Sequence, residues 1–163
     1  MTMNVLRCAP AAMLLALSSC GDTASGPDYL AYGNLAAEIG ASSAQHSATM
    51  SLATAEACPG EMTRYAGEMQ PMVARMLQMS VDMDACMLEM GHTDQADMKA
   101  TCEQMSSELE QHLAVGCTGS DPAAEASRHA GAMGQMAQHE ADRAGTMGGM
   151  MAGGGMMGNA CRK

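Results

Sequence analysis

Met62, Met69, Met76, Met83 and Met90 recur every seven residues, and Tyr65, Met72, Met79 and Cys86 form a second series offset by three. Two interleaved heptad series place their side chains along one seam of a helix that packs lengthwise against others. The chain has few other means of building a core, since it holds 21 Met and 3 Tyr but neither Phe nor Trp. Met and Ala both favour helix, although Met is flexible and specifies packing weakly. The fold expected is therefore all-α, an antiparallel bundle of about four helices with a Met/Ala-rich core. The helical methionines are read as core, not as ligands.

Punctuation along the chain sets the expected boundaries. A helix over 43–57 stops before Cys58-Pro59-Gly60, and a second runs over 61–90 with a kink at Pro71, which removes a helical hydrogen bond. Gly91 ends it at a C′ position, and Thr93 or Asp94 caps a third helix over 94–115. Asp121-Pro122 reads as an N-cap with Pro at N1, opening a fourth helix over 121–144. Gly33 and Gly40 place residues 20–42 with a tether, so the bundle is expected over 43–145. The remaining stretch, 146–163, is dominated by Gly and Met and is expected to be a disordered tail.

Composition bounds the partners. Eight Lys+Arg against 18 Asp+Glu give a net charge of −10 over 163 residues. That balance excludes a nucleic-acid partner, because phosphate binding needs cations to displace counterions. No apolar run reaches the roughly 18 residues of a membrane span.

The opening MTMNVLRCAPAAMLLALSSC has one cation, Arg7, then a short apolar stretch and small residues ending at a cysteine. This order is that of a secretory signal peptide. The ending Leu17-Ser18-Ser19-Cys20 resembles the lipobox of bacterial lipoproteins. The resemblance covers the first twenty residues alone and implies removal of residues 1–19, with acylation of Cys20 by diacylglycerol and palmitate-type chains. Gly21, not Asp, follows that cysteine, which in such proteins implies the outer membrane, facing the periplasm. The expected membrane contact is through the lipid anchor.

Cysteine usage fits an oxidising compartment. Cys58, Cys86, Cys102 and Cys117 read as a disulfide framework. Cys58 and Cys117 occupy the two connections at one end of the expected bundle, and Cys86 and Cys102 flank the opposite turn. Cys161 is left over.

Sulfur is also the main chemical oddity. Met147, Met150, Met151, Met156, Met157 and Cys161 stand among glycines that would let several sulfurs converge. Soft thioether and thiolate ligands select Cu(I), and the stretch is similar to the Met-rich segments of periplasmic copper-handling proteins. On the fourth helix His129, Met133 and Met136 share a face and form a second candidate metal site, with His112 on the stripe of the preceding helix. The histidines are otherwise expected at the surface or at caps. Enzymatic signatures are missing from the sequence. Leu109, Ala126 and Met136 stand three residues before His112, His129 and His139, so a Glu-x-x-His di-iron pattern fails. There is no HExxH, phosphate loop, nucleophile elbow or dinucleotide fingerprint. The expected function is a non-enzymatic, lipid-anchored envelope protein that binds Cu(I) or Ag(I) through Met, Cys and His. The alternative is a structural or protein-interaction lipoprotein with an envelope partner and no metal role.

Overall fold

The computed structural model describes residues 26–92 and 97–153. Four helices follow one another: α1 (Tyr29–Met50), α2 (Cys58–Glu89), α3 (Met98–Val115) and α4 (Pro122–Gly153). They form an antiparallel all-α bundle in which each helix packs on its neighbours in sequence and α1 closes the ring against α4. No helix among the described residues is long and apolar enough to cross a membrane.

The interior is the methionine core that the heptads anticipate. Met69, Met76, Met83, Met98, Met105 and Met133 are buried, together with Tyr32, Ile39 and Leu109. The second heptad series drifts: Met72 and Met79 are only partly buried, while Val73 and Ser80 beside them are buried. A straight helix has 3.6 residues per turn, so a strict seven-residue repeat slides off the seam unless the helices supercoil.

The helix boundaries show where local signals decide and where packing overrides them. Gly91 ends α2 at φ 82°, with His92 N–H donating to Met87 O at 2.9 Å and Gly91 N–H to Leu88 O at 3.0 Å. This double closure is a Schellman motif. Asp121 caps α4 as its position implies, accepting from Ala124 N–H at 3.0 Å. α2 runs unbroken through Pro71.

Several expected boundaries are corrected, α2 among them, which starts at Cys58 and not at 61. α1 begins at Tyr29, where Asp28 accepts from Ala31 N–H at 2.8 Å, so residues 29–42 belong to the bundle and not to a tether. The expected breakers Gly33 and Gly40 are contact points instead. A Cβ on Gly33 would lie 3.3 Å from Ala144 Cβ, and one on Gly40 would lie 3.5 Å from Ala137 Cβ. Absent side chains let α1 and α4 approach closely, and burial there outweighs glycine's weak helix propensity. α1 also stops at Met50, with residues 51–57 in the turn. α3 spans Met98–Val115 with Asp97 at its N-cap position, the expected caps Thr93 and Asp94 lie outside the described residues, and its first N–H groups are satisfied by α2, as Met98 and Lys99 donate to Asp84 at 3.1 and 2.9 Å. Finally, α4 extends to Gly153, past the expected end at 144.

A disulfide joins Cys58 at the start of α2 to Cys117 just after α3, with Cα atoms 5.9 Å apart. It closes a loop of 59 residues.

Candidate functional site

At the disulfide end of the bundle, every helix contributes polar side chains to one buried centre. α1 supplies Ser43 and His46, α2 supplies Glu61 and Tyr65, α3 supplies Glu108 and His112, and α4 supplies Glu125 and His129. Ser43, His46, Tyr65, His112 and His129 are all fully buried. The three histidines are therefore interior groups, not the surface or capping residues expected from the sequence.

The rings form two stacks at right angles. His46 lies on Tyr65 with centroids 3.9 Å apart, and His112 lies on His129 with centroids 4.1 Å apart. The planes of His46 and His112 are inclined at 78°. Between the stacks, His46 Nε2 meets His112 Nε2 at 3.0 Å and Tyr65 OH meets His129 Nε2 at 2.9 Å. Ser43 Oγ stands 2.9 Å from Tyr65 OH.

Each imidazole turns its other nitrogen outward onto a glutamate. His46 Nδ1 is 2.8 Å from Glu61, His129 Nδ1 is 3.1 Å from Glu108, and His112 Nδ1 is 3.5 Å from Glu125. The last two contacts are crossed: α3's histidine uses α4's glutamate and α4's histidine uses α3's. Arg128 ties the crossing together, reaching Glu108 at 2.9 Å and Glu125 at 2.7 Å. Arg64 plays the same part for Glu61 at 2.6 Å. Glu61 and Glu125 also sit in the first turns of α2 and α4, where the helix dipole favours a negative charge.

These contacts fix the charge states. The Arg64 guanidinium holds Glu61 down to about 2, and Arg128 does the same for Glu125. Burial pushes Glu108 up, but hydrogen bonds from Arg128 and His129 outweigh it and leave the group below its ordinary value. With ionised carboxylates outside, the Nδ1 positions must donate. Burial lowers His46 and His112, and lowers His129 to about 4, with its carboxylate pulling the other way. Burial raises Tyr65 to about 12, so its phenol stays protonated and donates to His129. Among the described residues, every buried side-chain nitrogen and oxygen has a partner.

The residues singled out in the sequence fare unequally. His129 joins the centre, Met133 packs in the core, and Met136 lines a shallow surface groove between α3 and α4 with Glu108, Gln104 and Gln135. The expected His129/Met133/Met136 face is thus divided among three environments. Met147 is buried, and Met151 packs against the core, so these two do not belong to a disordered tail. Met150 is exposed. Cys20, Met156, Met157 and Cys161 lie outside the described residues. Of the disulfide candidates, Cys58 and Cys117 are bonded to each other, and Cys86 is disulfide-bonded as well. Its partner is not Cys102, which is a buried free thiol. Cys102 Sγ contacts Tyr32 OH at 3.2 Å, whose hydroxyl also donates to the buried Glu140 at 2.7 Å, and burial raises the thiol's pKa.

Moving Met147 into the core changes what truncation should do. A chain ending at Ala144 loses the last two turns of α4 and with them the buried Met147 of the core, and removing a buried Met of this kind costs on the order of 2–5 kcal/mol. Thermal unfolding should show a clear loss of stability; an unchanged midpoint would mean that the last turns carry no core.

The signal for the centre was present in the sequence. Glu108-x-x-x-His112 and Glu125-x-x-x-His129 are two copies of one i, i+4 pattern on adjacent helices. The spacing is one residue longer than the i, i+3 pairs of a di-iron site. Comparison with known families, curated proteins and solved structures finds no match for the chain.

Among the described residues, no group of three or more His, Cys, Asp or Glu side chains is arranged around one metal ion. The stacking explains this, since the in-plane lone pairs of His112 and His129 run side by side and do not converge.

Proposed function

We propose that this chain is a lipid-anchored, non-enzymatic protein of the bacterial envelope that holds a metal ion at its buried histidine centre. The observation that carries the metal part is the wiring of His46 and His112. Both Nδ1 positions face carboxylates, and the two Nε2 atoms meet at 3.0 Å, where one proton is shared between the rings. A metal ion would take the place of that shared proton, since imidazole binds metal in its neutral form. A carboxylate on the far nitrogen is also how metal-binding imidazoles are oriented and made more basic.

Anchoring rests on the first twenty residues, whose lipobox-like ending at Cys20 supports an outer-membrane position facing the periplasm. Met156, Met157 and Cys161, with the exposed Met150 at the end of α4, then serve to capture soft ions, while Met147 and Met151 are committed to packing. The structural or protein-interaction reading has one observation in its favour. The polar network is closed, as in a core whose hydrogen bonds fix a single packing among pliable methionines.

Metal content separates the two. Mature protein from copper-supplemented periplasm should carry one copper ion per chain that a His46→Gln/His112→Gln pair of substitutions removes. A folded protein that carries no metal would support the structural reading. The anchor has its own test: Cys20→Ala should release the protein in soluble form, and an unmodified Cys20 in mass spectrometry would contradict the anchor.

A further inference from the structure

We infer that the bundle stands end-on on a zwitterionic lipid surface, seated through Leu30, Leu88 and Met150 at the end where α1 begins. This rests on the lipid-anchored reading above and goes beyond it by fixing which part of the fold meets the membrane.

Contacts bring the three residues to one level. Tyr29 begins α1, and its hydroxyl reaches Cys86 Sγ at 3.7 Å and Met87 Sδ at 3.9 Å near the end of α2. A Cβ on Gly148 of α4 would lie 3.7 Å from Tyr29 Cβ. Close by in sequence, Leu30, Leu88 and Met150 are exposed by 76%, 53% and 38%. They stand on three helices, with α1 packed on both α2 and α4. Exposed apolar side chains are ordinary when scattered singly. These three share the end from which the chain leaves for its anchor.

The length of that stretch selects the end. From Cys20 the chain must reach Tyr29, a span of at most roughly 30 Å when fully extended. Gly26 and Pro27 are already half-buried and Asp28 caps α1, so the free part is shorter still. α2 alone has 32 residues, a length of about 48 Å. Lipid on Cys20 therefore keeps the start of α1 near the surface. A tether of this kind raises the effective concentration of whatever it holds there, so a few apolar side chains suffice for contact.

Charge selects the lipid. Asp28, Asp84, Glu89 and Asp97 lie at this end. Its two cations are occupied, Lys99 by Glu103 and Arg143 by Asp97 and Glu140. Anionic lipid attracts basic segments and repels an acidic one, so zwitterionic headgroups of the phosphatidylethanolamine or phosphatidylcholine type fit. The seat also aims the histidine centre away from the membrane. Tyr65 stands 24 residues before Glu89 on α2, about 36 Å along the helix axis. The centre and the Cys58–Cys117 bridge are thus carried at the free end.

The chain has no Trp, so one introduced Trp reports on its own surroundings. Leu52, 87% exposed in the turn after α1, lies at the opposite end near Val115 and serves as the control. Lipidated mature Leu30→Trp, Leu88→Trp and Leu52→Trp proteins would be reconstituted into phosphatidylcholine vesicles with brominated acyl chains, and their flotation with the vesicles checked. Trp at 30 and at 88 should lose most of its emission to the bromines, while Trp at 52 keeps its own. Equal quenching at 52 would mean that the bundle lies flat and would overturn the end-on seat. No quenching at any position in protein that floats would overturn the seat and leave the anchor standing. Protein that does not float would overturn both. Replacing part of the phosphatidylcholine with phosphatidylglycerol should weaken the quenching at 88, and stronger quenching would overturn the zwitterionic assignment. Two reporters on different helices keep the test alive if one substitution disturbs the fold.

Discussion

Replacing Cys58 and Cys117 together by serine should destabilise the protein by on the order of 4 kcal/mol, the chain-entropy value for a loop of this length. For a domain of this size that is a large share of the total. The effect should reach the histidine centre, because Glu61 follows Cys58 by three residues and His112 precedes Cys117 by five. Releasing the bridge frees the start of α2 from the end of α3, and those two segments hold the outer carboxylate of His46 and the ring it faces. Denaturant midpoints of the oxidised protein and the double variant measure the cost; coincident curves would show that the bridge constrains nothing the fold does not already hold.

Acid should unfold the protein in two stages, and the first carries the larger signature. His129 is lowered to about 4 in the folded chain, against about 6.5 when unfolded. A depressed histidine favours its neutral form in the fold, so this contribution is complete above about pH 6.5 and is lost as pH falls from there toward 4, an amount on the order of 3 kcal/mol. The groups facing His129 agree with that sign. Tyr65 of α2 donates to its Nε2 and would be displaced by a second ring proton, His112 of α3 and His46 of α1 repel the charge, and Glu108 of α3 opposes them only in part. The second stage comes from Glu61 and Glu125, whose lowered pKa values stabilise the fold above their unfolded value of about 4.3 and lose that contribution below it. Denaturant midpoints at pH 7.5 and 4.5 should differ clearly, and His129→Gln should flatten the upper stage. Equal midpoints would mean that the buried rings do not titrate with folding.

What the sequence made legible was periodic or local. The heptads from Met62 to Met90 stated the core of α2, Asp121-Pro122 stated the start of α4, and Gly91 stated the end of α2. Each depends on residues within a few turns of one another. The extents of α1 and α4 were hidden because glycine has two meanings. Gly33 and Gly40 look like breakers until Ala144 and Ala137 are known to lie opposite, and the glycines of α4 look like a linker until Met147 and Met151 are seen to reach the core. The histidine centre was hidden for a related reason: its members come from four helices, and the outer partners of His112 and His129 are exchanged between α3 and α4. Helical spacing places Glu108 near His112, but only the packing of one helix on the other decides which glutamate each ring uses.

The most direct test of the metal centre is a crystal structure of the mature protein loaded with Ag(I) in chloride-free buffer. A single strong anomalous peak between His46 Nε2 and His112 Nε2, with the two nitrogens parted to roughly 4 Å across bonds of about 2 Å, is the expected result. Silver found only on methionine sulfurs, with the two nitrogens still in direct contact, would contradict it.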